Sequence, residues 1–298
     1  MRRADGALEA GAQTVAVIDG SLRTAERASV SVFDRGFLFG DSVFEVCRTY
    51  GGRPFALELH LARLERSARG MGIELPIDAA GFTREVKRGL ARAKNPESYV
   101  RIVLTRGRGA LHIDPRTATG STRVVIVAPL APLPAELHTQ GIEVSSIRFG
   151  RTTDRTRAEG AKVSAYVANM LALWQAREHG AHEALMVADD GQLSEGNSSN
   201  LFVVREGEIL TPPLALGILP GITRGIVLSI ATELGIPHRE AMLFGHDLDR
   251  AEEAFITSSL REVVPVVRFD RRAIGGGRPG PITLRLLDAY RARTGLAV

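Results

Sequence analysis

The chain has 298 residues, is 44% hydrophobic and 24% charged, and carries a formal net charge of +4, a composition typical of a globular protein of roughly two domains. No apolar run approaches the roughly 20 residues of a membrane span, and Met1-Arg2-Arg3 runs into Asp5 and Glu9 rather than an apolar signal core, so the N-terminus reads as a short lead-in. The one cysteine, Cys47, excludes an internal disulfide and fits a reducing compartment such as the cytoplasm; charges of both signs are interspersed, which marks a solvated surface rather than a nucleic-acid face.

In chain order, Thr14 to Ile18 is apolar and β-branched, and Asp19-Gly20 gives a hairpin-type turn. Val43 to Tyr50 reads as a strand closed by Gly51-Gly52. Leu57, Leu61, Leu64 and Ala68 fall on one face of a helix over 57–71, and a second helix covers 79–93. Tyr99 to Thr105 and Thr122 to Ala128 read as strands. Pro129, Pro132 and Pro134 cannot continue a helix or a central strand, so the chain is expected to divide into a small N-terminal domain (1–130), a linker (131–140) and a large C-terminal domain (141–298).

Beyond the linker, Ile142 to Ile147 is a strand and Ala165 to His179 an amphipathic helix stopped by Gly180. Glu183 to Val187 and Leu201 to Val204 are strands next to the turn signals Asp190-Gly191 and Glu206-Gly207. A helix over 222–234, strands over 253–257 and 263–267, and a helix over 281–294 complete the chain. Strands and helices alternate, with many hairpins, which implies an α/β chain with mixed (α+β) sheets in two lobes and not a purely parallel sheet.

Lysine occurs only at Lys87, Lys94 and Lys162. Lys162 lies in Glu159-Gly160-Ala161-Lys162-Val163-Ser164-Ala165-Tyr166, at the mouth of a helix. It is either a surface lysine or, if buried, an amine of lowered pKa that attacks an aldehyde. Glu195 stands in Gly191 to Phe202, a run of small polar residues between strands. That run is an ordinary loop or holds a carboxylate aimed at a ring nitrogen, where it would keep a pyridine protonated as an electron sink. Leu219-Pro220-Gly221-Ile222-Thr223-Arg224 opens a helix, so it is a cap and also an anion site. Phe255 to Glu262 clusters hydroxyls in a turn after a strand, either a second phosphate contact or a polar turn. Cys47 reads as a buried strand residue and Trp174 as helix packing. The seven histidines lack metal-ligand spacing, so no metal is expected.

These segments, with Phe33 to Val46 and His60-Leu61-Ala62-Arg63-Leu64 upstream, occur in the order found in the class IV (fold-type IV) pyridoxal-phosphate aminotransferases, and the chain resembles that family from about Val15 to Val267. The resemblance implies a two-domain fold-type IV enzyme that uses pyridoxal 5'-phosphate. Lys162 would carry the cofactor and shuttle the substrate α-proton; Glu195 would pair with the pyridine nitrogen and Tyr166 would hydrogen-bond the phenolic oxygen. Arg63, Ile222, Thr223, Ser258 and Ser259 would hold the phosphate.

For the substrate, the resemblance points to Phe39, Val46, Tyr99, Arg101 and Leu260. Tyr99-Val100-Arg101 matches the Y-x-R pattern of branched-chain aminotransferases, whose arginine helps hold a substrate carboxylate. Phe44-Glu45-Val46 is closer to the D-amino-acid transaminases, yet Leu111 replaces the arginine of their R-x-H trap and the histidine spacing is off. The implied activity is transfer of an amino group between an amino acid, with a lean to D-amino acids, and a 2-oxo acid such as 2-oxoglutarate. A branched-chain L-amino-acid enzyme is the alternative, followed by an aminodeoxychorismate lyase, which usually has a lysine where Arg101 stands. The family implies a homodimer in which Phe33 to Asp41 reaches into the partner's site, and no membrane or nucleic-acid partner.

Overall fold

A computed structural model describes residues 13–148 and 156–295; the N-terminal lead-in lies outside them. The chain forms two compact units, Met1–Pro132 with Ala161–Ala165, and Leu133–Gly160 with Tyr166–Val298. The division falls between Pro132 and Leu133, and Ala161–Ala165 returns to the first unit. Glu136–Thr139 is a short helix of the second unit.

The first unit contains β1 (Val15–Ile18), β2 (Ser21–Thr24), α1 (Arg35–Phe39), β3 (Ser42–Tyr50), β4 (Arg53–Pro54), α2 (Leu57–Met71), α3 (Ala79–Ala93), β5 (Ser98–Thr105) and β6 (Thr122–Pro129). Its strands form one six-stranded antiparallel sheet in the order β2-β1-β6-β5-β3-β4. Strand alternation sends Val43, Cys47, Val100, Ile102, Leu104, Val125 and Val127 to one face, where they pack with Leu57, Leu61, Leu64 and Ala68 of α2 and Phe82 and Val86 of α3. The helical spacing read from the sequence is therefore the buried stripe of α2. The opposite face carries Phe44, Val46, Arg48, Tyr99, Arg101 and Ile126 in register.

The second unit contains α4 (Glu136–Thr139), β7 (Ile142–Arg148), α5 (Val167–Glu178), β8 (Glu183–Val187), β9 (Gln192–Gly196), β10 (Asn200–Arg205) and β11 (Glu208–Thr211). After these come α6 (Ile222–Glu233), β12 (His238–Glu240), β13 (Leu243–Phe244), α7 (Gly245–Asp249), β14 (Glu253–Ser258), β15 (Glu262–Phe269), β16 (Arg272–Ala273) and α8 (Pro281–Thr294). They build a ten-stranded mixed sheet, with β12-β11-β10-β14-β15-β7-β8-β9-β13 in line and β16 on β15. The β15–β7 and β7–β8 pairs are parallel, and their neighbours β14 and β9 are antiparallel to them. An extra pairing of Asn200 with Glu195 closes β10-β14-β15-β7-β8-β9 into a ring. The stacked rings of Phe202 and Phe255, 4.7 Å apart, fix the register of β10 on β14.

Two sequence expectations change. Glu195 is the fourth residue of a strand, not part of a loop, because a run of small polar residues can pair as well as turn. Helix α5 buries only Ala172 and Ala176. Val167, Met170, Leu171 and Trp174 point outward at 56–65% exposure, so Trp174 does not pack into this chain. Among the described residues, no helix is long and apolar enough to cross a membrane.

Candidate active site

The candidate residues fall into two groups, one in each unit. In the first unit, Lys162 sits on a short segment that pairs with the start of β3. Val43 and Val163 form an antiparallel bridge, Phe44 N–H donates to the Lys162 carbonyl at 3.0 Å, and Ser164 N–H donates to the Ser42 carbonyl at 2.9 Å. Alternation then turns Val163 toward the helix-covered core and puts Lys162 and Ser164 on the opposite face. There Lys162 Nζ lies 4.6 Å from the centroid of the Phe44 ring.

Arg101 reaches the same ring from β5, with Cζ at 4.0 Å. The two cations are therefore separated by no more than the sum of those distances. Arg101 is half-buried between Val46 and Ile126, its cross-strand partners, and Tyr99 stands two residues away on the same face. No carboxylate lies within ion-pair reach of Arg101 among the described residues. Phe39, the last residue of α1, lies under the Arg35 guanidinium at 4.8 Å.

Arg63 is buried on α2 and binds Glu45 of β3 through Nε at 2.7 Å and Nη2 at 2.8 Å. His60 Nδ1 is 2.7 Å from the same carboxylate. Burial alone would raise the Glu45 pKa, but the Arg63 charge and hydrogen bonds, with His60, outweigh it and hold the carboxyl down to about 2. Burial, with the Glu45 charge, pushes the Cys47 thiol up to about 12, so it is an inert core group.

In the second unit, Glu195 Oε2 accepts from Leu219 N–H at 3.0 Å and from Asn200 Nδ2 at 3.4 Å, and Asn200 Nδ2 also donates to the Leu219 carbonyl at 2.9 Å. The Glu195 carboxylate is thus tied to the turn that starts α6. A Cβ on Gly221 would stand 1.9 Å from Asn200 Oδ1, so only glycine fits this close approach. Gly221 is the N-cap of α6 and offers no side-chain cap, which leaves the first N–H groups, those of Ile222 and Thr223, to an outside acceptor. Beside it, Thr257 pairs with Asn200, and its hydroxyl is buried with no partner among the described residues. A buried hydroxyl without a partner costs about 1–3 kcal/mol, which an acceptor would recover. An uncapped helix start and an orphaned hydroxyl together fit a phosphate. Tyr166 is the N-cap residue of α5. Ser258 ends β14, and Ser259 and Leu260 follow it in the turn; Ser258 Oγ accepts from Arg261 across that turn, and the Ser259 hydroxyl has no partner among the described residues.

The Amino-transferase class IV profile matches residues 42–269. The chain belongs to the class IV aminotransferases. It is therefore a pyridoxal-phosphate enzyme of the fold-type IV architecture. It is 36% identical over 274 residues to a Methanocaldococcus jannaschii protein named provisionally as a branched-chain-amino-acid aminotransferase, covering 92% of this chain and 94% of that one. It is 34% identical over 280 residues to the D-alanine aminotransferase of Bacillus licheniformis, covering 92% and 95%. The branched-chain amino acid aminotransferase of Escherichia coli superposes with a TM-score of 0.88 at 30% identity, covering 96% of this chain and 94% of that one. Another branched-chain amino acid aminotransferase, solved with pyridoxamine 5'-phosphate, superposes with a TM-score of 0.87 at 32% identity, covering 94% of each chain.

Sequence reasoning passed over four residues that the geometry brings forward. Thr257 lies in the Phe255–Glu262 segment and Asn200 in the Gly191–Phe202 segment, without a role of its own in the sequence pattern. Glu45 was read only as part of a pattern, although an acid on the core-facing side of a strand signals a buried cation opposite it. Phe44 gave no sign of its place beneath two cations.

The Glu45 shift fixes a pH dependence. Its folded pKa is below the ordinary 4.5, so its stabilisation is present above that value and is lost as pH falls toward 2. Glu45→Gln should therefore lower stability by about 3–5 kcal/mol near neutrality. The gap to the parent, read from urea midpoints, should shrink steadily below pH 4.5. A gap that stays constant from neutrality to pH 3 would contradict the pairing.

Proposed function

We propose that this aminotransferase moves an amino group between a branched-chain L-amino acid and a 2-oxo acid such as 2-oxoglutarate, with Arg101 as the carboxylate anchor. The observation that carries this reading is the setting of Arg101: half-buried, stacked on Phe44, and without a carboxylate partner among the described residues. A partly desolvated guanidinium of that kind is satisfied by an incoming anion, and its planar fork suits a carboxylate. The apolar Val46 and Ile126 at its sides suit an apolar substrate side chain.

The sequence favours a second reading through Phe44-Glu45-Val46, namely a D-amino-acid enzyme, and the D-alanine aminotransferase similarity keeps it in play. Against it, the segment where the R-x-H trap belongs carries Leu111 and Ile113, 72% and 79% exposed. That segment is held by Arg35, whose Nη1 and Nη2 donate to the carbonyls of His112 and Ile113 at 2.7 and 2.9 Å. The lyase reading is weakened by an arginine at position 101.

Each residue then has a stated task. Lys162 Nζ would bind the cofactor's aldehyde carbon and, once released, take and return the proton at the substrate α-carbon. Glu195 would pair with the ring nitrogen and Tyr166 would donate to the phenolic oxygen. Ile222 and Thr223 amides, the Thr223 and Thr257 hydroxyls, Ser258, Ser259 and the Arg63 charge would hold the phosphate. Phe39, Tyr99, Val46 and Leu260 would shape the space for the substrate around the Arg101 anchor. The bound cofactor supplies an electron sink for the charge left at the α-carbon.

We also propose a homodimer. Val167, Met170, Leu171 and Trp174 form an i, i+3, i+4, i+7 apolar stripe on the open side of α5. The first unit separately exposes Val30, Val32, Phe33 and Phe37 next to Leu111 and Ile113, joined through the Asp34–Arg108 bridge. Apolar patches of this extent mark association surfaces.

Two measurements test these readings. Arg101→Leu should slow the half-reaction with L-leucine or 2-oxoglutarate by about tenfold or more, the loss of a charged hydrogen bond. It should spare the half-reaction with 1-phenylethylamine, which has no carboxylate. Equal losses on both, with a lower Tm, would make Arg101 a structural residue, and faster turnover of D-leucine than L-leucine by the parent would select the D-amino-acid reading. Trp174→Glu should convert a dimer to monomer in light scattering while changing monomer stability by less than about 0.5 kcal/mol. A parent that is already monomeric would remove the dimer proposal.

A further inference from the structure

The turn after β14 is held by an ion pair that the tasks above do not use. Glu183 opens β8 and is buried. Its carboxylate accepts from Ser199 Oγ at 2.6 Å and is paired with Arg261 Nη1. The same guanidinium donates from Nη2 to Ser198 Oγ at 3.0 Å and from Nε to Ser258 Oγ at 3.3 Å. Arg261 N–H also donates to Ser258 Oγ at 3.3 Å, and the Arg261 carbonyl lies 3.1 Å from His138 Nε2. One side chain thus ties the Ser258–Arg261 turn to the Asn197–Ser199 turn, with a buried carboxylate as the fixed point. Asn197 is itself locked to β8, its N–H on the Ala184 carbonyl and its Oδ1 accepting from Ala184 N–H, both at 3.0 Å.

The consequence lies in the hydroxyl protons. Two N–H groups, one of them cationic, donate into the Ser258 oxygen, so both of its lone pairs are used and its own proton must point elsewhere. Donation into an oxygen polarises its O–H and makes it a better donor. Neither the Ser258 proton nor the Ser259 hydroxyl has an acceptor among the described residues. The turn therefore presents two adjacent hydroxyl donors in a fixed direction.

We infer that Arg261 is a positioning residue for anion binding: through Glu183 it fixes the Ser258–Leu260 turn and turns the Ser258 proton toward the bound phosphate. This rests on the reading that Ser258 and Ser259 contact the cofactor phosphate. Lysine at position 261 keeps the charge beside Glu183 but has no Nε fork to place on Ser258.

The test is a titration of the full-length enzyme, stripped of cofactor, with pyridoxal 5'-phosphate and with pyridoxal, which lacks the phosphate. Arg261→Lys should keep the parent's Tm within a few degrees and its affinity for pyridoxal, and should weaken pyridoxal 5'-phosphate binding by about tenfold. The phosphorus-31 resonance of the bound cofactor should shift as well. The pair Glu183→Gln with Arg261→Met leaves no buried charge unpaired, and it should show the same selective loss if Arg261→Lys folds poorly. Equal weakening toward both ligands, or none, overturns the inference. Ser258→Ala and Ser259→Ala separate it from the reading beneath it. If they also leave the phosphate preference intact, the turn does not contact phosphate at all; if they reduce it while the Arg261 variants do not, Arg261 alone loses its role.

Discussion

Two backbone hydrogen bonds, between Phe44 and Lys162 and between Ser164 and Ser42, decide where Lys162 lies. They make Lys162–Ser164 an extra short strand on the edge of β3, and the period of two in a strand does the rest. Val163 is drawn to the core beside Val43, so Lys162 has to face the other way, over Phe44 and toward the side that carries Arg101. A register slip of one residue would turn the amine into the apolar core of the first unit and bring Val163 to the face that carries Phe44 and Arg101. Ser67 on α2 reinforces the pairing by accepting from Lys162 N–H at 3.1 Å.

Buried charges are placed by a similar constraint. In a chain whose cations are nearly all arginine, forked guanidinium groups do the orienting: Arg63 on Glu45, Arg261 on Glu183, and Arg35 and Arg106 on Asp41. Burial works against the Asp41 carboxylate, and Arg106 with Arg35 overcomes it, holding its pKa below the ordinary range. Each pair is weak evidence for net stability, since desolvation opposes attraction. Their value is directional, because each fixes a segment that bears candidate site residues. Arg101 departs from this pattern, and that departure is what gives it a functional reading.

Much of this was legible in the sequence, for identifiable reasons. The α2 face was readable because Leu57, Leu61, Leu64 and Ala68 repeat at helical spacing and one sheet receives them. The turn before α6 was readable because Gly221 has a single physical use there. The pairing of Val163 with Val43 was not readable, since the partners lie far apart in the chain and a lone bridge leaves no periodic trace. Glu195 was assigned to a loop because short-range composition cannot show that Asn200 and Leu219 will hold it in a strand. The stripe on α5 looked like a core stripe because periodicity says that a face will be covered without saying by what. The orphaned Thr257 hydroxyl is visible only after packing has removed its neighbours.

The central claim is that Lys162, and neither Lys87 nor Lys94, holds the cofactor. Borohydride treatment of the purified enzyme loaded with pyridoxal 5'-phosphate, followed by peptide mapping, tests it most directly. The account predicts a single phosphopyridoxyl modification on the peptide containing Lys162, absent in Lys162→Ala. Modification of Lys87 or Lys94 in its place, or an unmodified Lys162 in enzyme that retains the cofactor, would contradict it.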